Sequence, residues 1–296
     1  MKLLTLALCA LAVSTLAAGQ DKPRLKVYIS ADMEGVGGVS TWEKQASASG
    51  LDYGQYRRLM TLEVNAAIEG AFAAGATEVL VSDSHGDGQN IDAELLDPRV
   101  KLVRAWPRPL GMAAGIDATF DAVVLIGYHG AEGQADSILS HTEDDTKYAD
   151  MKLNGVSVPE AGIVAATAGA FGVPVVFISG DQTICRVTSD LLGDIETAVV
   201  KVADGFYAGT MMHPQEAREL IRAGVERAVR GRDEIKPYLT KRPVKVELTM
   251  RKTVEAEVAS YLRGVERPTG NVIIYTADDM IDAAKFIQAV YYLKVD

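Results

Sequence analysis

The sequence predicts an α/β fold, a mainly parallel sheet with helices on both faces, followed by a smaller C-terminal α+β part. Three observations lead there. Strand-like runs such as 120–129 and 173–181 are continuous in Val, Ile and Leu, the pattern of strands buried on both faces. Helix-like runs separate them, as crossover connections between parallel strands require. Beyond about residue 230 the pattern turns to alternation, as in "VKVELTM" at 244–250, which suits a sheet with one solvated face.

In chain order, "LKVYISAD" (25–32) is the first buried strand. The run 56–76 reads as a helix, with Met60, Val64, Ala67 and Ala71 at helical spacing and Gly75 as a stop. "TEVLVSDSH" (77–85) and "FDAVVLIGYH" (120–129) are the next strands. Small residues in "PEAGIVAATAGAFG" (159–172) predict a helix able to lie close to a sheet, and strands follow at 173–181 and 197–202. The charged stretch 230–243 carries Pro237 and Pro243 and marks a boundary. After it come a strand at 244–250, a helix at 253–262, a strand at 271–278 and an amphipathic helix at 279–293.

The domain reading is therefore 1–20 as a signal peptide, 21–230 as a metal-binding α/β catalytic domain, and 231–296 as a C-terminal α+β extension or small domain. Lys2, the apolar run Leu3 to Val13 and the small residues from Thr15 to Gly19 have the order of an export signal. The expected location is thus exported, periplasmic or secreted. Of the two cysteines, Cys9 falls in the signal, so the mature chain keeps Cys185 alone and can form no internal disulfide. A net charge of −10 argues against nucleic acid and against an anionic membrane surface as partners.

The strands end on chemistry. The first runs into Asp32 and Glu34, the second into Asp83 and His85, the third into His129 and the fourth into Asp181. Open α/β sheets bind ligands at the carboxyl ends of their strands, so these groups share one rim. Strand alternation would point Asp32 and Glu34 to the same side. Two adjacent carboxylates near a dry core repel one another and resist desolvation unless a cation is present. Carboxylates and imidazoles without thiolates suit Zn²⁺, Mn²⁺ or Co²⁺. The glycines after Glu34 fall short of a dinucleotide fingerprint, because Ser40 stands where its last glycine belongs. They read instead as a sharp turn beside the metal site. From the residues alone, Glu160 at a helix start reads first as a helix-dipole partner and only second as a ligand. His141 lies in a loop within reach of the rim, and His213, before a proline, reads as a capping or surface residue.

The motifs "SADMEG" (30–35), "VSDSHG" (81–86), "GYHG" (127–130), "SHT" (140–142), "LNGVSVPEAG" (153–162) and "SGD" (179–181) occur in one order. In this the chain resembles the D-aminopeptidases of the DppA type from about residue 25 to its end. The resemblance implies two Zn²⁺ per chain. Carried over by position, Asp32 bridges the ions, Glu34 and His85 complete one site, His129 and Glu160 complete the other, and His141 is the catalytic histidine. It implies hydrolysis of short peptides behind a free N-terminal D-residue such as D-Ala, by an oxygen nucleophile held between the metals. It also implies a homo-oligomer, since some members form rings around an inner cavity. Pro159 departs from the glycine of the family pattern, and the signal peptide departs from cytoplasmic members. Two other functions fit a cluster of acids and histidines: a dinuclear metallophosphoesterase, and an exported metal- or peptide-binding protein without catalysis.

Overall fold

A computed structural model describes residues 24–295 of the protein. The expected signal peptide lies outside the described residues. Seven strands form the main sheet: β1 (Lys26–Ala31), β2 (Glu78–Asp83), β3 (Lys101–Val103), β4 (Ala122–Tyr128), β7 (Val175–Asp181), β8 (Glu196–Ala203) and β9 (Gly209–Met211). Their spatial order is β3-β2-β1-β4-β7-β8-β9, and all neighbours pair in parallel except β9. The chain leaves β1 toward β2 and later returns to β4 on its other side, so the sheet reverses winding between β1 and β4. A crevice opens at such a reversal, beyond the strands' carboxyl ends. Register makes those ends level, since Ala31 sits opposite both Asp83 and Ile126.

One face is covered by α1 (Tyr53–Ala73) and α4 (Pro214–Arg230). Met60, Val64, Ala67 and Ala71 of α1 join Ile221 and Val225 of α4 in one buried cluster with β1 and β4, as helical spacing predicts. The two helices approach so closely at Gly70 that a Cβ there would collide with the Arg222 carbonyl. The other face carries α2 (Glu160–Ala170) and α3 (Gln182–Leu192). Val164, Ala165, Ala168, Ile184 and Cys185 pack there on Val123, Leu125 and Ile178. His213 caps α4, its Nδ1 accepting from the Gln215 amide at 3.2 Å, in line with the capping role expected of it.

A second, antiparallel sheet has the order β11-β12-β10-β5-β6. It comprises β5 (Tyr148–Leu153), β6 (Val156–Ser157), β10 (Val244–Met250), β11 (Val265–Glu266) and β12 (Val272–Ala277), with α5 (Thr253–Ala259) and α6 (Met280–Tyr292) against it. Alternate residues of β10 are buried, which matches the period-two pattern. The sequence reading places this α+β part at 231–296, whereas its sheet also takes the hairpin 148–157 from the middle of the chain. β5 is inconspicuous in sequence because Asp150 and Lys152 sit on its outer side, where Lys152 meets Glu247 at 3.2 Å. The hairpin leads through Pro159 directly into α2, so the antiparallel sheet presents Glu160 to the crevice of the parallel one.

Candidate metal centre

The residues expected at strand ends converge at the β1/β4 crevice. Asp32, Glu34, His85, His129 and Glu160 are all buried. Asp32 and Glu34 lie in a turn just past β1 rather than in the strand. Their convergence therefore comes from the turn and not, as the alternation argument predicts, from the pleat. Gly35 makes that turn feasible: a Cβ there would overlap the carbonyl oxygen of Tyr128 on β4. Gly38 has a left-handed φ of 92°, which glycine adopts without cost.

Each imidazole of the cluster is fixed by a backbone carbonyl. His85 Nε2 donates to Ala46 O at 2.8 Å, within the single π-helical turn Trp42–Ala46. His129 Nδ1 donates to Gly130 O at 3.0 Å, and His141 Nδ1 donates to Leu139 O at 2.8 Å. A carbonyl accepts only, so in the neutral rings the opposite nitrogen is a lone pair. Those lone pairs face carboxylates. His85 Nδ1 is 2.8 Å from Glu34 Oε2 and 3.3 Å from Asp32 Oδ1. His129 Nε2 is 3.2 Å from Asp32 Oδ2 and 3.3 Å from Glu160 Oε2. His141 Nε2 is 3.8 Å from Glu160 Oε1, and its ring stacks on His129 at 4.2 Å.

Lone pairs opposed to buried carboxylates repel unless something positive lies between them. Asp32 Oδ2 and His129 Nε2 are buried without any hydrogen-bond partner. The potential ligand atoms fall into two groups, Asp32–Glu34–His85 and His129–His141–Glu160. Divalent cations fit this donor set, since each group pairs oxygen with imidazole nitrogen and the backbone carbonyls supply the outer hydrogen bonds typical of ligating histidines. Titration behaviour agrees. Burial opposes a charged His85, but Glu34 and Asp32 outweigh it and hold its pKa well above the ordinary value. His129 is raised likewise against burial, by Glu160 and Asp32. Burial and then Glu34 push Asp32 upward. Glu34 is held well below its usual range, its burial overcome by His85. A metal-free site thus recruits protons to its histidines as substitute cations.

Supporting residues complete the centre. Lys201 on β8 is buried, and its Nζ donates to the carbonyls of Glu34, Val36 and Val39. Burial lowers its pKa to about 8. It clamps the turn that carries Glu34. The strand-end acids Asp83 and Asp181, expected at the rim, turn away from the cluster to brace loops. Asp83 accepts from the Asn90 and Ile91 amides. Asp181 accepts from Ser137 Oγ and the Ile138 amide at 2.8 and 2.9 Å and caps α3, fixing the start of the loop that reaches His141. Glu143, which sequence reasoning missed, donates its backbone N–H to Glu160 Oε1 at 2.6 Å. Burial, then the nearby Glu160, push its carboxyl up to about 8. Its only sequence signal is a position two residues past His141. Lys201 has no local signal, being 167 residues from Glu34.

The centre opens into a cavity of about 410 Å³, lined by Asp32, Glu34, His85, His141, Glu160 and a rim that includes Trp42, Phe206 and Tyr207. His141 is the most open of the three imidazoles, with 17% of its side chain exposed against 1–3% for the others. No helix among the described residues is long and apolar enough to cross a membrane.

Comparison with known proteins identifies the family. The family model described as D-aminopeptidase, peptidase M55, matches residues 25–289. The D-aminopeptidase of Bacillus subtilis (strain 168) is 31% identical over 261 residues, which is 88% of this chain and 94% of that protein. The solved structure of the Zn-dependent D-aminopeptidase DppA from Bacillus subtilis, described as a self-compartmentalizing protease, superposes with a TM-score of 0.86 at 29% identity, covering 90% of this chain and 96% of that one. A family match over nearly the whole fold, on a chain whose histidines and acids form two oxygen–nitrogen clusters, makes this protein a member of the peptidase M55 family of D-aminopeptidases.

Proposed function

We propose that this zinc aminopeptidase hydrolyses short peptides behind a free N-terminal D-residue such as D-Ala, with two Zn²⁺ ions held by five side chains. The observation that carries the reading is the position of Asp32. Its Oδ1 faces His85 and its Oδ2 faces His129, the disposition of a ligand shared between two ions. Glu34 and His85 complete one set, and His129 and Glu160 the other. The zinc dependence of the DppA relative favours zinc over the Mn²⁺ or Co²⁺ that the same donors would accept.

When bound, such ions would supply Lewis acidity, lowering the pKa of water to roughly 7 and polarising the scissile carbonyl. The chain's own residues do the rest. His141 keeps Nδ1–H on Leu139 and turns Nε2 to the open cavity. It can therefore take a proton during attack and return it to the leaving amine. The aromatic rim narrows access of water to the reacting carbonyl. No Lys or Arg lines the cavity among the described residues, which leaves the phosphoesterase alternative without a clamp for phosphoryl oxygens.

Two further parts of the reading concern the chain's setting. Residues 1–20 act as a signal for export, and the mature chain assembles as a homo-oligomer, with a ring around a shared chamber as the form suggested by the self-compartmentalizing relative. Side-by-side assay of D-Ala-D-Ala and L-Ala-L-Ala, before and after chelation, tests the central reading. Chelation-sensitive cleavage of the D-peptide is expected. Faster cleavage of the L-peptide, or activity that survives chelation, refutes it.

A further inference from the structure

An aminopeptidase must recognise a positively charged amine as well as cut a peptide bond. The five proposed ligands and His141 leave no side chain assigned to that task. In the substrate the amine nitrogen lies only about 2.5 Å from the scissile carbonyl carbon, two bonds away. Its receptor must therefore stand immediately beside the metal cluster.

Glu143 stands there. Its backbone N–H is bonded to the Glu160 carboxylate, and its side chain lines the same cavity. Among the described residues its carboxylate has one hydrogen-bond partner, the Gln288 amide of α6 at 3.4 Å, and no cationic one. Asp144 beside it differs in this respect, its carboxylate being occupied by the Thr146 amide and hydroxyl. Glu143 also holds a left-handed φ of 64°, an uncommon state for a residue with a Cβ. The backbone bond to Glu160 accounts for the turn, and glycine would make that turn at less cost. The carboxylate itself is left without a structural duty. Without metal, burial and Glu160 keep the Glu143 carboxyl largely protonated near neutral pH. Two divalent ions facing Asp32, Glu34 and Glu160 would reverse that balance and leave Glu143 as a nearby anion for a substrate cation.

We propose that the Glu143 carboxylate receives the protonated N-terminal amine of the substrate and so makes the site an aminopeptidase. The proposal rests on the peptidase reading above, and its test separates the two. Glu143→Gln keeps the backbone N–H, the side-chain shape and the contact with Gln288 while removing the charge. In the zinc-loaded full-length chain, the affinity of D-alaninol, which has the amine but no scissile bond, is compared with that of 1-propanol, which lacks the amine. The substitution should weaken D-alaninol on the order of 10- to 100-fold, the range of a hydrogen bond to a charged group, leave 1-propanol unchanged, and retain the zinc. With D-Ala-D-Ala, KM should rise by a similar factor while kcat changes little, the pattern of lost uniform binding. Unchanged D-alaninol affinity, equal weakening of both compounds, or zinc loss in the variant overturns the proposal. Amine binding that depends on Glu143 in a chain whose wild type cleaves no peptide would refute the peptidase reading and leave Glu143 as an amine receptor of another kind.

Discussion

The two halves of the metal centre are built differently. Asp32, Glu34 and His85 hang from the level ends of β1 and β2, and Lys201 clamps their turn through three carbonyls. His129, His141 and Glu160 come from a strand end, a loop and a helix start, the last delivered by a hairpin of the other sheet. The first half is the more closed: its acids and histidine line the cavity but are almost wholly buried. The second opens to the cavity through His141. The parallel sheet thus supplies one side, and the junction of the two sheets supplies the side with the more exposed imidazole. Only Asp32 touches both.

That division can be broken at its shared residue. Asp32→Ala should empty both halves and lower kcat/KM on the order of a thousand-fold or more, given the several kcal/mol that metal polarisation contributes. Elemental analysis of the purified variant checks this, and zinc retained in full would remove Asp32 from its bridging place. A smaller loss is expected on the open side. His141→Ala should cut kcat by about 10²- to 10⁴-fold, the usual share of a general acid–base, with zinc content unchanged. Zinc released by that variant would make His141 a ligand, as its place in the second cluster allows.

On the closed side the loss should be gentler still. Lys201→Met removes a clamp without touching a ligand, so zinc affinity should fall about 10- to 100-fold, as read by competition with a chelating dye. An unchanged affinity would show that the Glu34 turn holds itself. The smallest effect separates the metal-free from the loaded protein. The raised pKa values of His85 and His129 belong to the metal-free fold. Groups raised in the folded state stabilise fully below their unfolded pKa, about 6.5 for histidine, and that contribution drains as pH rises through the folded values. Chelated protein should therefore lose stability to urea as pH rises above about 6.5. Zinc, which takes the place of those protons, should flatten the trend, and equal slopes with and without metal would contradict the geometry.

Parts of this centre are legible in sequence for a plain reason. Asp32, His85 and His129 follow apolar strands directly, and parallel strands end at one rim, so their meeting follows from local pattern plus one topological rule. Glu34 meets them too, although through a turn secured by Gly35 rather than by strand alternation. Glu160 and His141 are legible only through family resemblance, because a hairpin from the second sheet and a loop braced by Asp181 carry them inward. Lys201, Glu143 and Gln288 leave no local trace. Their partners lie far away in the chain or on another layer, and a lone lysine on a strand or a glutamate in an acidic loop reads as ordinary surface until the sheets are joined. The same limit hides β5, whose polar outer face masks its pairing with β10.

The most direct test of the account is the number of zinc ions per chain in active protein purified without chelator, followed through stepwise removal and return of metal. Two ions per chain, with hydrolysis of D-Ala-D-Ala lost and regained in step with them, is the predicted result. Full activity with one ion per chain or none would contradict the paired centre organised around Asp32.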